Sequence, residues 1–312
     1  MDTLARTAVG LAAIGRPAYI NLGRDAVLPA RRDVEALRER TFAVLDAAYT
    51  AGVRRVDVAR SYGRAEEFLA GWLEARRPDD VVVSSKWGYA YVGGWRLDAD
   101  VHEVKEHSLA RFREQWSQTR SLLGDAVSLY QVHSLTPDSP LFDDPALLAA
   151  LAALTDEGVR VGFSTSGPRQ ADTVRRALAL RVDGSPVFTA VQSTWNLLEP
   201  SVGAALREAH EAGALVQVKE TLANGRLAVD PPDAVAEVAR RHGVGADAVA
   251  LAAVYAQPWA DVVLCGPASV EQLRANLAGT AVELSADELD ALGATAVSPT
   301  RYWADRSSLA WR

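Results

Sequence analysis

The chain has 312 residues, 49% hydrophobic and 23% charged, with a formal net charge of −7. That length suits one α/β barrel, a fold that routinely reaches ~250 residues as a single domain. The acidic balance argues against nucleic acid and anionic membrane as partners, and one cysteine, Cys265, excludes an internal disulfide.

A reducing, cytoplasmic setting fits the lone cysteine. The N-terminal run MDTLARTAVGLAAIGRP lacks a separate charged region and a small-x-small cleavage site, so it reads as mature protein. Charges interrupt every apolar window well short of the ~20 residues of a membrane helix. Among 33 basic residues only Lys86, Lys105 and Lys219 are lysine. A chain that defaults to arginine invites a reason for any lysine kept in an apolar strand.

Short β-rich runs alternate with longer Ala/Leu/Arg/Glu-rich stretches. Strands are predicted at 7–12, 55–58, 81–85, 128–132, 160–163, 188–192, 215–219 and 261–264. Several are almost wholly apolar, as strands covered on both faces must be. Helices are predicted at 34–51, 65–76, 103–123, 145–157, 169–179, 202–212, 232–241 with 246–257, and 270–277. Asp144-Pro145 and Pro231-Pro232-Asp233 are helix starts. Glu157-Gly158, Ala51-Gly52 and Ala212-Gly213 are stops before a strand. Eight β-then-α units point to a parallel sheet closed as a barrel. An open doubly wound sheet is the competitor, but it would carry a Gly-rich turn after the first strand. LAAIGRP holds no GxGxxG. The expected fold is therefore a (β/α)₈ TIM barrel, one domain over 1–312.

Chemistry in such a barrel sits at the C-terminal ends of the strands. The second strand ends in VDVARSYG, with Asp57 in it and Tyr62 beyond. The third ends in VVVSSKWG, with Lys86 at its tip, and the fourth in LYQVHS, with His133 at its tip. Asp, Tyr, Lys and His from consecutive strand ends would converge. A phenol titrates near ~10 in water, and a neighbouring ammonium favours its phenolate. A carboxylate would fix that lysine, and a histidine could orient the substrate oxygen. Together they make a proton donor for a developing alkoxide. Each member has a plainer reading: Asp57 as an ion-pair partner of Arg60, Tyr62 as a turn residue, Lys86 as a rim lysine, His133 as a core histidine. The plain readings lose force together, since all four fall on one barrel face.

At these residues the sequence resembles the aldo-keto reductase superfamily, over roughly residues 7–279. VDVARSYGRAEEFLAGWL is similar to the family's Asp-x-x-x-x-Tyr-Gly segment, VVVSSKWG to its lysine strand and SLYQVHS to its histidine strand. VGFSTSG, VQSTWNLLEP and GPASVEQLRANLAG follow in order. The resemblance implies a catalytic tetrad of Asp57, Tyr62, Lys86 and His133. It implies a nicotinamide cofactor, NADP(H) favoured over NAD(H). The cofactor's partners would be Ser164, Thr165 and Gln192 at the carboxamide, Trp195 stacked on the ring, and Leu222 and Gly225 near the pyrophosphate, with Lys219 either reaching it too or simply pairing with Glu220. Gly266, Ser269, Gln272 and Asn276 would lie at the adenosine end. Thr165 stands where relatives carry asparagine, Lys219-Glu220 where they carry a less charged pair, and Ala268 where they often carry arginine. Arg274 is close enough in sequence to compensate.

The stretch 87–102 is long for a βα loop and holds Trp87, Tyr89, Tyr91 and Trp95. Such loops are functional or disordered, and the aromatics favour a substrate wall. The tail 297–312 adds Tyr302, Trp303 and Trp311 without a helix pattern. Trp87, Tyr89, Trp95 and Trp303 are the expected substrate contacts, with rim packing or an interface as the other reading. His102 and His107 are five apart, wrong for a helical ligand pair, so no metal site is expected. Cys265 reads as a buried small residue.

The resulting expectation is an NAD(P)-dependent oxidoreductase interconverting a small carbonyl compound and an alcohol, with Tyr62 as general acid/base. Two alternatives stand beside it. One is a barrel lyase or aldolase using Lys86 or Lys219 as a Schiff-base amine. The other is a cofactor-binding regulatory or sensor protein with little turnover.

Overall fold

In the computed structural model, which describes residues 2–28 and 31–312, eight parallel strands close into a barrel. They are β1 (Thr7–Gly10), β2 (Arg55–Asp57), β3 (Val82–Trp87), β4 (Val127–Leu135), β5 (Arg160–Thr165), β6 (Ala190–Thr194), β7 (Leu215–Lys219) and β8 (Val262–Cys265). Each strand pairs with its sequence neighbours, and β1 also pairs with β8. The alternation of apolar runs and helices thus yields a (β/α)₈ TIM barrel, not an open sheet.

The surrounding helices are α1 (Val34–Thr50), α2 (Ala65–Arg76), α3 (Leu109–Leu123), α4 (Pro145–Ala152), α5 (Gln170–Leu178), α6 (Gly203–Glu211), α7 (Asp233–His242), α8 (Ala246–Tyr255), α9 (Val270–Ala278), α10 (Ala286–Gly293) and α11 (Pro299–Ser307). In α1, Asp33 accepts from the Ala36 N–H, and Leu37, Thr41, Val44, Leu45 and Ala48 face the sheet at helical spacing. Residues Ala248–Tyr255 of α8 are all buried. On its outer side Val249, Ala250 and Ala253 join a second apolar cluster with Val235, Val238, Leu292 and Tyr302.

Three stretches depart from the sequence reading. The helix expected over 103–123 begins only at Leu109, where the Ser108 hydroxyl accepts from the Arg111 N–H. Glu103–Lys105 instead pairs antiparallel with Tyr89–Tyr91, so the aromatic stretch folds back as a hairpin. The β-branched and aromatic content of YAYV and VHEVK favours that pairing. The tail expected to lack a helix forms α11, with Ser298 capping, Pro299 at its first turn, and Tyr302 and Trp303 buried. Helix α10 was not anticipated, although Ser285 and Glu288 form a capping box. Among the described residues no helix is long and apolar enough to cross a membrane.

Candidate active site

Strand parity decides which side chains meet at the barrel mouth. Asp57 aligns with Ser84 on β3, and Lys86, two residues further along, aligns with Gln131 on β4. His133 lies two residues beyond Gln131. Since successive side chains alternate faces, Asp57, Ser84, Lys86 and His133 all project inward. Asp57 and Lys86 form a buried ion pair. Asp57 also accepts from Ser84 Oγ at 2.7 Å and from Gln192 Nε2 at 3.0 Å. Lys86 Nζ donates to the Val58 carbonyl at 3.0 Å and to the Tyr62 hydroxyl at 3.5 Å. Arg60 does not compete for Asp57; it pairs with Glu66 at 2.5 Å.

Tyr62 sits on the turn after β2. That turn is locked to the loop after β1, because Gly63, at φ +64°, lies so close that a Cβ would stand 2.5 Å from the Gly15 carbonyl oxygen. The Tyr62 and His133 rings meet edge to face at 5.5 Å, and His133 Nδ1 is 3.3 Å from Ser61 Oγ. Burial lifts the Tyr62 phenol well above its ordinary value, with Asp57 and Glu103 adding to the rise and Arg16 opposing it. The expected pull of an ammonium toward phenolate is therefore outweighed by desolvation. His133 is held well below its ordinary value, first by burial, then by the charges of Lys86, Lys219 and Arg16. At neutral pH the site presents a protonated phenol beside a neutral imidazole.

A cavity of about 300 Å³ opens over these groups. Asp57, Tyr62 and His133 line it, together with Gln192, Lys219, Leu222, Gly225, Gly266, Gln272 and Asn276. Across it, the Leu22 N–H donates to the Asn224 carbonyl at 2.9 Å. Gly225 lies beneath that bridge at φ +86°, where a Cβ would fall 2.4 Å from the Leu22 carbonyl oxygen. Lys219 Nζ donates to Thr194 Oγ1 at 2.9 Å and Glu220 Oε1 at 3.3 Å. Burial would raise Glu220, but Arg306 and Lys219 outweigh it and hold the carboxyl down to about 2. At the far end Asn276 donates to Asp247 at 2.8 Å, and Gln272 Oε1 accepts from the Ala268 N–H at 2.8 Å.

Other expected site residues lie off the cavity wall. Ser164 Oγ accepts from the Ser134 N–H at 2.8 Å. Thr165, of opposite parity, bonds Gln170 and Ser193. Ser269 caps α9. The Trp195 ring packs edge-on against Trp259 at 5.7 Å, toward the helix layer. Of the four expected substrate contacts, only Tyr89 lines the cavity, with its ring 5.2 Å from that of His133. Trp87 follows Lys86 and so points outward, against Phe112. Trp95 donates to the Arg32 carbonyl at 2.9 Å and packs on Phe68. Trp303 packs in the second apolar cluster. His107 lies between Ser139 Oγ and the His133 carbonyl, and His102 stacks on Trp311 at 4.5 Å.

The sequence reading missed Arg16, Tyr19 and Glu103, which also line the cavity. No motif marks Arg16, since arginine is this chain's default cation. Glu103 was hidden by its assignment to a helix.

The sequence model of the Aldo/keto reductase family matches residues 32–296. Aldo-keto reductase str7 of Strobilurus tenacellus is 25% identical over 296 residues, covering 83% of this chain and 81% of that protein. Among solved structures, the glycerol dehydrogenase AKR11B4 from Gluconobacter oxydans superposes with a TM-score of 0.69 at 20% identity, over 93% of this chain and 90% of that one. A Pseudomonas aeruginosa chain assigned to the aldo-keto reductases superposes at 0.64 and 23% identity, over 88% and 90%. These two likenesses concern the fold. With the family match spanning most of the chain, this protein belongs to the aldo/keto reductase family.

Proposed function

We propose that this protein is an NAD(P)(H)-dependent oxidoreductase that interconverts an aldehyde or ketone and an alcohol, with Tyr62 as general acid in reduction and general base in oxidation. The observation that carries the reading is the 3.5 Å approach of Lys86 Nζ to the Tyr62 hydroxyl, over a lysine already paired with Asp57. A substrate oxygen between Tyr62 and His133 would receive the phenolic proton, while Lys86 stabilises the phenolate left behind. Asp57 holds the lysine charged and in place. Neutral His133 orients the substrate oxygen.

The residues present fit a nicotinamide dinucleotide. The cavity is continuous from Tyr62 past Lys219 and Leu222–Gly225 to Gln272 and Asn276, and open space adjoins Gly266 where a side chain would project. Gln192 would face the carboxamide through its oxygen, because its Nε2 already donates to Asp57 and Gln217. Hydride comes from the cofactor when one is bound; the chain supplies the proton. NADP(H) is favoured over NAD(H). Arg274, on α9 beyond Gln272, is the cation available for a 2′-phosphate. The partner is a small carbonyl compound or alcohol.

The test is a tryptophan-fluorescence titration with NADPH and NADH, followed by turnover on a panel of aldehydes and ketones. Failure of either cofactor to bind at millimolar concentration sinks the reading. Cofactor binding without turnover across the panel favours a sensor role for the same fold.

A further inference from the structure

The loop after β1 places one arginine, Arg16, inside the cavity beside Tyr62. Arg16 is 1% exposed. Its guanidinium carbon lies 5.1 Å from the Tyr19 ring, 5.6 Å from the Tyr62 ring and 4.9 Å from the Trp311 ring. A guanidinium carries five N–H donors. Nη1 uses its two on the Ser61 carbonyl and Glu103 Oε1, both at 2.8 Å. Nε is buried with no acceptor, and Nη2 makes no hydrogen bond among the described residues. Nη2 is the open donor of this edge and Nε the covered one; together they form the flat fork to which a carboxylate is complementary. Leaving charged donors unmatched in a buried site is costly, so this edge calls for an acceptor of that shape.

The four cations in and beneath the cavity, Arg16, Lys86, Lys219 and Arg306, each have a carboxylate partner. Lys219 and Arg306 share Glu220, and Lys86 has Asp57. Of the four, Arg16 has a guanidinium edge, Nε and Nη2, that makes no hydrogen bond among the described residues. Its position is rigid, because the Gly15 carbonyl accepts from the Arg64 N–H at 2.8 Å, tying the arginine to the Tyr62 turn.

We propose that Arg16 anchors a carboxylate of the substrate, so that the carbonyl compound handled here is a short oxo acid, or the matching hydroxy acid in the reverse direction. The proposal rests on the oxidoreductase reading for the reaction, but not for the binding. Glu103 would keep one edge of the guanidinium and the substrate would take the other. The guanidinium carbon lies 5.6 Å from the centre of the phenol ring, so an acid anchored there with its carbonyl at Tyr62 is a small molecule.

The test compares propanoate, butanoate and 4-oxobutanoate with their primary amides, by tryptophan fluorescence of the full chain. Trp311, against Arg16, is the reporter. The wild type is expected to bind each acid ~30-fold or more tightly than its amide. Arg16→Gln is expected to bring that ratio close to one, and Arg16→Lys to retain part of it, since ammonium keeps charge without the fork. Equal binding of acid and amide by the wild type overturns the proposal, whatever the variants do; so does an unchanged ratio in folded Arg16→Gln. A turnover assay of the same oxo acid with NADPH separates the two readings. Acid-selective binding without reduction supports the anchor and counts against the oxidoreductase. Reduction of uncharged aldehydes and oxo acids with equal kcat/KM overturns the anchor and leaves the oxidoreductase standing.

Discussion

The Lys86 ammonium stands 3.5 Å from the Tyr62 hydroxyl, with both side chains buried. Such an arrangement acts chiefly when the phenol gives up its proton, because only then does the ammonium face a full negative charge. Tyr62→Phe removes the hydroxyl and keeps the ring packing against His133. Turnover is expected to fall by ~10²-fold or more, while the Kd for NADPH in a fluorescence titration stays within a few-fold of wild type. A variant that reduces carbonyls at the wild-type rate would remove Tyr62 from the mechanism.

The pH profile follows from the direction of two shifts. Tyr62 is raised, so it stays protonated through neutrality and loses its proton only in strongly alkaline solution. His133 is lowered, so it is neutral over the same range. The kcat/KM for carbonyl reduction is therefore expected to be flat from about pH 6.5 up to the alkaline region. A falling limb centred between 7 and 8 would contradict this account.

Lys86 and Asp57 depend on each other for more than chemistry. Lys86→Met leaves the Asp57 carboxylate buried and without its cation, and the expected loss of stability is about 3–5 kcal/mol. Adding Asp57→Asn should recover much of it, since a neutral amide can still meet Ser84 and Gln192. Urea denaturation of the single and double variants measures the difference; equal stability of the two would show that the pairing does not govern the loss.

His107 provides a test of folding alone. Its ring is enclosed between Ser139 and the His133 carbonyl, and burial pulls it down to about 4. In the unfolded chain it titrates near ~6.5. The unfolded state thus takes up the proton first as pH falls, so stability is full above about 6.5 and declines as the pH drops toward about 4. His107→Gln is expected to flatten that part of the stability curve. An unchanged slope would place the acid sensitivity elsewhere.

Much of the site was legible because strand ends are legible. Asp57, Lys86 and His133 each close an apolar run, and period-two alternation then sends them to one face. Two residues that did not reach the cavity failed on the same rule. Trp87 is one step past Lys86 and Thr165 one step past Ser164, so each turned toward the helices. Glu103 was read as the first turn of a helix because its charged neighbours fit one. Only pairing with Tyr89–Tyr91, a long-range contact, makes it strand.

The sequence by itself determined the alternation of eight strands and their helices, and with it the barrel and the identity of the strand-end polar residues. Those are local matters of periodicity, caps and breakers. Only the tertiary structure decided the state of Tyr62 and the role of Arg16. Burial, summed over many distant neighbours, outweighs the single ammonium beside the phenol. A loop arginine with no motif around it acquires a direction only when the turn at Gly63 locks against Gly15 and rings from three separate segments close around it.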